Sequence, residues 1–187
     1  MQKIPLFMCA ALVLFAFSGV LWVGYDLYAT GFSTKAEPPA IEVALVRQFR
    51  RLSIPGEIRK KPNPVSMNPG VLSEGLDHFA DHCASCHAND GSGETQVGKH
   101  VYPRVPDLRG HEIQSMSDGE LFFTIHNGIR FTAMPAWGEG DMDKDKGSWT
   151  LVHFIRHLPQ LSHDELDRME SLNPKSPHQD KGNEHHH

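Results

Sequence analysis

The sequence predicts an all-α protein, with one helix that crosses a membrane followed by a small helical domain organised around a single motif. Three observations carry this expectation. An uncharged apolar run of 22 residues extends from Ile4 to Tyr25. Helix-start and helix-stop signals recur from Asn68 to Pro174, and no stretch alternates apolar and polar residues for long enough to make a useful strand. Cys83-Ala84-Ser85-Cys86-His87 sets two thiols and an imidazole within five residues.

Charge divides the chain more sharply than its total of −5 suggests. Residues 1–66 carry eight Lys/Arg against four Asp/Glu, residues 67–160 seven against thirteen, and residues 161–187 three against six. The acidic centre argues against nucleic acid as a partner, because phosphate binding needs clustered cations. These boundaries give the expected organisation: a transmembrane anchor over 1–29, a proline-broken basic tether over 30–66, a globular domain over 67–160, and a short acidic helix with a disordered polar tail over 161–187.

The run from Ile4 to Tyr25 is long enough, as a helix, to cross the roughly 30 Å hydrocarbon layer of a bilayer. A cleaved secretory signal has a shorter apolar stretch of about 7–15 residues and ends at a small-x-small site. Ala29-Thr30-Gly31 is a poor match, so the anchor is expected to stay. Trp22 and Tyr25 suit the interface, and Lys3 favours a cytoplasmic start. The remainder is then expected outside the cytoplasm.

In the tether, Pro38-Pro39 and then Pro55, Pro62 and Pro64 leave room for one helix, from about Ile41 to Leu52. Ile41, Leu45, Phe49 and Leu52 fall on one face of it. Arg47, Arg50, Arg51, Arg59, Lys60 and Lys61 make the segment basic. Three roles are open to these cations: contact with anionic lipid headgroups, contact with the acidic domain, or simple solvation.

Asn68-Pro69 opens the globular part as cap and first-turn proline, and Leu72, Leu76, Phe79 and Cys83 then share a face. Gly91, Gly93 and Gly98 mark a loop. Ser117 and Glu120 form a capping box with Met116 as staple onto Leu121, and Gly128 is placed to end that helix. Phe131 to Trp137 reads as a loop. A last core helix is expected from about Ser148 to Leu158, stopped by Pro159. Ser162 and Glu165 repeat the capping box for an acidic helix that ends by Pro174.

A Cys-x-x-Cys-His motif has the spacing to bond both vinyl groups of a haem while the imidazole reaches its iron. A structural zinc site needs a second ligand pair, and the remaining cysteine, Cys9, lies in the apolar run. A redox dithiol wants a preceding strand, whereas Asp77 to His82 reads as helix.

This motif, with Met134-Pro135 lying 47 residues after His87, resembles a class I c-type cytochrome of the monohaem, membrane-anchored bacterial type, over roughly residues 68–160. Gly75 and Phe79 with Leu151 and Phe154 fit the crossing of terminal helices in that family. Pro106-Asp107-Leu108-Arg109-Gly110 fits its segment in which a proline carbonyl accepts a hydrogen bond from the proximal histidine. The resemblance implies a cytochrome c fold of three to four core helices around one haem c covalently held by Cys83 and Cys86. It also implies His87 and Met134 as axial ligands of the iron, with Pro106 orienting His87.

Imidazole and thioether together fill both axial positions, which suits single-electron transfer to redox partner proteins more than catalysis. Met116 and Met142, or His78, His82, His100, His111, His126, His153 and His157, are the competing sixth ligands. Each of these histidines lies on a helix or polar loop, where solvation is the commoner state. Arg104, Arg109, Arg130, Tyr102 and Trp137 are candidates for bonding the haem propionates. Asp141-x-Asp143-x-Asp145 does not make a calcium loop, because the glycine comes late and Val152 replaces the closing glutamate. The expected function is a membrane-tethered electron carrier. A second reading makes the domain a haem subunit of a larger membrane oxidoreductase complex, and a third makes it a haem enzyme or sensor with an open iron.

Overall fold

The computed structural model describes residues 6–31 and 33–174; Lys3 and the polar tail with His185, His186 and His187 lie outside the described residues. Every regular element among those described is helical. The chain falls into two units divided between Glu37 and Pro38. The first unit holds one helix, α1 (Leu6–Thr30). Its stretch Phe7–Thr30 has a mean hydropathy of 2.2 and none of it is buried, so it is long and apolar enough to cross a membrane.

The second unit begins with α2 (Ala40–Ser53) and the single turn α3 (Gly56–Arg59). Next comes α4 (Pro69–His78), which starts where expected because Asn68 Oδ1 accepts from the amides of Gly70 and Val71 at 2.9 and 3.1 Å. The helical path does not stop at His78. It widens into a π turn over Phe79–Cys83 and tightens again as α5 (Ala84–His87). Short helices α6 (Gln96–His100) and α7 (His111–Gln114) follow in the connecting chain.

The core lies where α4 crosses α9 (Lys146–His157), with α8 (Asp118–Asn127) packed alongside. At the crossing, a Cβ on Gly75 would stand 2.9 Å from Phe154 Cβ and 3.0 Å from the Thr150 carbonyl oxygen, so only glycine permits this approach. Phe79 and Phe154 meet with ring centroids 5.2 Å apart, and Phe122 stacks on Trp149 at 4.1 Å. All four rings are almost completely buried. The Ser117–Glu120 capping box forms reciprocally at the start of α8, and Gly128 ends it at φ +66°. Helix α9 starts two residues before the expected Ser148, because Asp145 Oδ1 caps it by accepting from the Ser148 amide at 2.9 Å. The last element, α10 (His163–Leu172), carries the second capping box, buries Met169, and pairs Arg168 with Asp77 of α4.

Of the three roles open to the basic segment, contact with the acidic domain is made. Arg47 pairs with Glu112, Arg51 with Glu120 at 3.2 Å, and Lys61 with Asp143 at 2.7 Å. Neutral contacts join them: Ser117 Oγ donates to the Arg59 carbonyl at 2.6 Å, Asn63 donates to the Trp149 carbonyl at 2.9 Å, and Ile54 is buried. The closest approach is at Gly119, where a Cβ would come within 1.8 Å of the Ile58 carbonyl oxygen. Helix α2 therefore turns its arginine side to the domain.

Candidate functional site

The π turn delivers Cys83 to the end of the long helical path, and one further turn carries Cys86 and His87. Ala88 then leaves the helix at φ +62°. The two exposed carbonyls of this last turn are satisfied by the following loop: Gly93 N donates to His87 O at 2.8 Å and Thr95 Oγ1 to Cys86 O at 3.1 Å. Such a tight return needs residues without side chains. A Cβ on Gly98 would stand 2.2 Å from Gly93 O and 2.7 Å from Cys86 O, and Gly93, at φ +76°, has no room for one beside Val105 O.

Burial sets the chemistry of the motif. It pushes the Cys83 thiol up to about 12, with Cys86 adding to the effect. A thiol so held is the opposite of an activated dithiol, whose reactive cysteine has a lowered pKa. Cys83 and Cys86 are not joined as a disulfide. The same burial lowers His87 to about 4, so its imidazole is neutral at neutral pH and has a lone pair to offer. His87 Nδ1 is buried without a hydrogen-bond partner. The expected bond from His87 to the Pro106 carbonyl is therefore not formed. Pro106 is nevertheless brought to this segment, its oxygen 3.4 Å from the position of a Gly93 Cβ. A buried imidazole lacking a partner directly after two cysteines is what a group bonded through these three side chains would complete.

Met134 lies half-buried in the loop after α8. Thr132 Oγ1 accepts from its amide at 3.1 Å, and its carbonyl accepts from Ile129 N at 3.1 Å. Trp137 N and Gly138 N bond back to the Ile125 and His126 carbonyls, so the loop folds over the C-terminus of α8. It also meets the motif's helix: the Trp137 ring stands edge-on to His82, centroids 5.4 Å apart. Under the loop, His126 Nδ1 donates to Asp145 Oδ2 at 2.6 Å. Desolvation alone would raise the Asp145 carboxyl, but hydrogen bonds from Ser148 and His126 together hold it below its ordinary value.

Several histidines expected in solvent are engaged instead. His126 is buried against Asp145, His153 Nε2 donates to the Val65 carbonyl at 2.7 Å, and His157 pairs with Glu165 at 2.9 Å. Their partners lie 8 to 88 residues away, so no local pattern reveals them. Met116 and Met142 pack against the core. Among the propionate candidates, Arg109 is held by Asp107 and Asp90, and Tyr102 donates to Glu42 at 2.6 Å. Arg104 and Arg130 are exposed, and Trp137 reaches the motif's helix at His82. Among the described residues no group of three or more His, Cys, Asp or Glu gathers as for a metal ion.

Crossed helices, glycine-bound loops and a neutral buried histidine behind two cysteines make a helical domain whose motif side chains fit a haem. Residues 70–155, from α4 almost to the end of α9, match the family described as cytochrome C oxidase, cbb3-type, subunit III. This domain is a c-type cytochrome, with the electron-transfer role and the haem c that this class implies.

Proposed function

We propose that the protein is a membrane-tethered monohaem cytochrome c whose iron is held between His87 and Met134, with thioether bonds from Cys83 and Cys86. The observation that carries this is the neutral, partnerless His87 imidazole beside Cys86, on the same helical path that the Met134 loop touches through His82. Haem bound there supplies a one-electron iron couple. The protein's part is to hold and shield it. Cys83 and Cys86 fix the position, His87 gives a basic nitrogen, and Met134 gives a soft neutral sulfur that favours the ferrous state. In this reading the Pro106 carbonyl, which lies in the segment against the motif's loop, would orient His87 by accepting from its other ring nitrogen. Held by both His87 and Met134, the iron would keep no open position for a substrate, which suits a carrier more than an enzyme.

Helix α1 supports an uncleaved single-pass anchor with the haem domain on the periplasmic side. The matched family's description as an oxidase subunit favours a second reading, in which the domain works inside a membrane oxidoreductase complex. Extraction from native membranes in mild detergent separates the two: co-migration with a larger assembly supports the subunit, and migration alone supports the carrier.

Ligation is tested on the holoprotein. The ferric form is expected to show the weak near-infrared sulfur-to-iron band, and the ferrous form to bind carbon monoxide slowly or not at all. Met134→Ala should abolish the band and admit carbon monoxide, while Met116→Leu and Met142→Leu leave both unchanged. Ready carbon monoxide binding by the unmutated protein would overturn the assignment. A mass spectrum of the unfolded chain that lacks haem would overturn the covalent attachment.

A further inference from the structure

A surface helix ordinarily turns its apolar side inward. Helix α2 does the reverse. Its Arg47, Arg50 and Arg51 side faces Glu112, Glu120 and Met116, while Ile41, Leu45, Phe49 and Leu52 stand 61, 51, 68 and 66 % exposed. These four positions lie within about a quarter of the helix circumference at 3.6 residues per turn, so they form one continuous stripe. Rotation cannot hide the stripe, because the opposite side is fixed by two ion pairs and by buried Ile54. A contiguous apolar stripe of this kind marks a surface that something covers.

We propose that the stripe lies in the headgroup boundary of the bilayer leaflet from which the chain emerges, seating the cytochrome domain on the membrane. This rests on the reading of α1 as a membrane anchor. Two features select lipid as the occupant. Only nine residues, 31–39, separate α1 from α2, a span of at most about 36 Å when fully extended, so α2 stays within that reach of the surface. The stripe is also bordered by a cation suited to phosphate, Arg51 of the same helix, whose side chain stays 68 % exposed although paired to Glu120. Apolar residues dipping below the headgroups with cations at their level is the pattern of an interfacial helix. Electron exchange is then confined to partners in or against the same membrane.

The test places nitroxide labels on the full-length holoprotein, with Cys9 changed to Ser, in vesicles of phosphatidylcholine and phosphatidylglycerol. Cysteines are introduced one at a time at Leu45, Phe49, Leu52 and, as an exposed polar control on α10, Asp164. Since these side chains are exposed, the fold should survive, and an unchanged haem spectrum checks this. In the reduced protein, accessibility to oxygen relative to a water-soluble nickel chelate should rise severalfold at 45, 49 and 52 over the control. Equal ratios at all four sites on vesicle-bound protein would overturn the proposal. Labels at 45, 49 and 52 shielded from both reagents would overturn it in favour of a protein cover. Failure of the protein to float with vesicles after a carbonate wash would overturn the anchor reading itself, a different outcome from floating with an exposed stripe.

Discussion

Replacing Gly128 by alanine should open the Met134 loop without touching the haem motif. Gly128 stands at φ +66° and ψ −171°, a region that is essentially reserved for glycine, and a side chain forced into it costs about 1–3 kcal/mol. The added Cβ would also lie 2.6 Å from Ala136 N and Pro135 C and 2.8 Å from Met134 O. These are all backbone atoms, so no rotamer change relieves the contact. The loop that carries Met134 has to move. If Met134 is the sixth ligand, relief of 1–3 kcal/mol on opening should strengthen competition by an external ligand about 5–150-fold. Titrating the ferric holoprotein with imidazole and following the near-infrared band measures this. Gly56→Ala is the control, since nothing lies within 4 Å of its would-be Cβ. Wild-type imidazole affinity in Gly128→Ala, with thermal stability lowered, would refute the idea that this strain bears on the ligand loop. No change in either measurement would refute the close approach itself.

Gly75→Ala should destabilise the holoprotein by about 1–3 kcal/mol in denaturant titrations, because the α4–α9 crossing has no room for a methyl group. Asp145→Asn keeps a good cap for α9 but removes the charged acceptor of His126, so about 1.5–3 kcal/mol should be lost at pH 7. The sign with pH follows from a carboxyl held below its ordinary 3.8: its contribution is present above that pH and disappears as pH falls through the folded value. Parent and variant should therefore converge below about pH 3.8, and a gap that stays constant from pH 7 to 3 would place the effect elsewhere. With seven basic against thirteen acidic residues over 67–160, electron transfer to a basic partner should slow as salt rises. A rate indifferent to ionic strength would mean an apolar contact.

Features set by neighbouring residues were legible in the sequence. Asn68, Ser117 with Glu120, and Ser162 with Glu165 cap their helices as expected, because each bond is made within three residues. The early start of α9 is of the same kind, but Asp145 was hidden in an acidic run that reads as a failed calcium loop. The orientation of α2 was not legible. Periodicity predicts an apolar face without saying where it points, and here the choice is made by Glu112 and Glu120, 65 and 69 residues beyond their arginines. The same distance rule hid the partners of His126 and His153. At the motif, residue types were plain, yet the π turn before Cys83 leaves no mark in the apolar stepping of Leu72, Leu76 and Phe79.

Where α3 meets α8 at Gly119, main chain rests on main chain, and such a seam does not respond to salt as the Arg47–Glu112 and Lys61–Asp143 pairs do. That fixes where the protein can be cut. A soluble fragment beginning at residue 67 would strip Ile58 from Gly119, the Arg59 carbonyl from Ser117, Asn63 from the Trp149 carbonyl and Val65 from His153. Buried donors and acceptors would be orphaned along one flank of the cytochrome, on the helices that build its core. A fragment beginning at Pro38 keeps them all, and with them a greasy helix that would make it self-associate in water unless Leu45, Phe49 and Leu52 are first made polar.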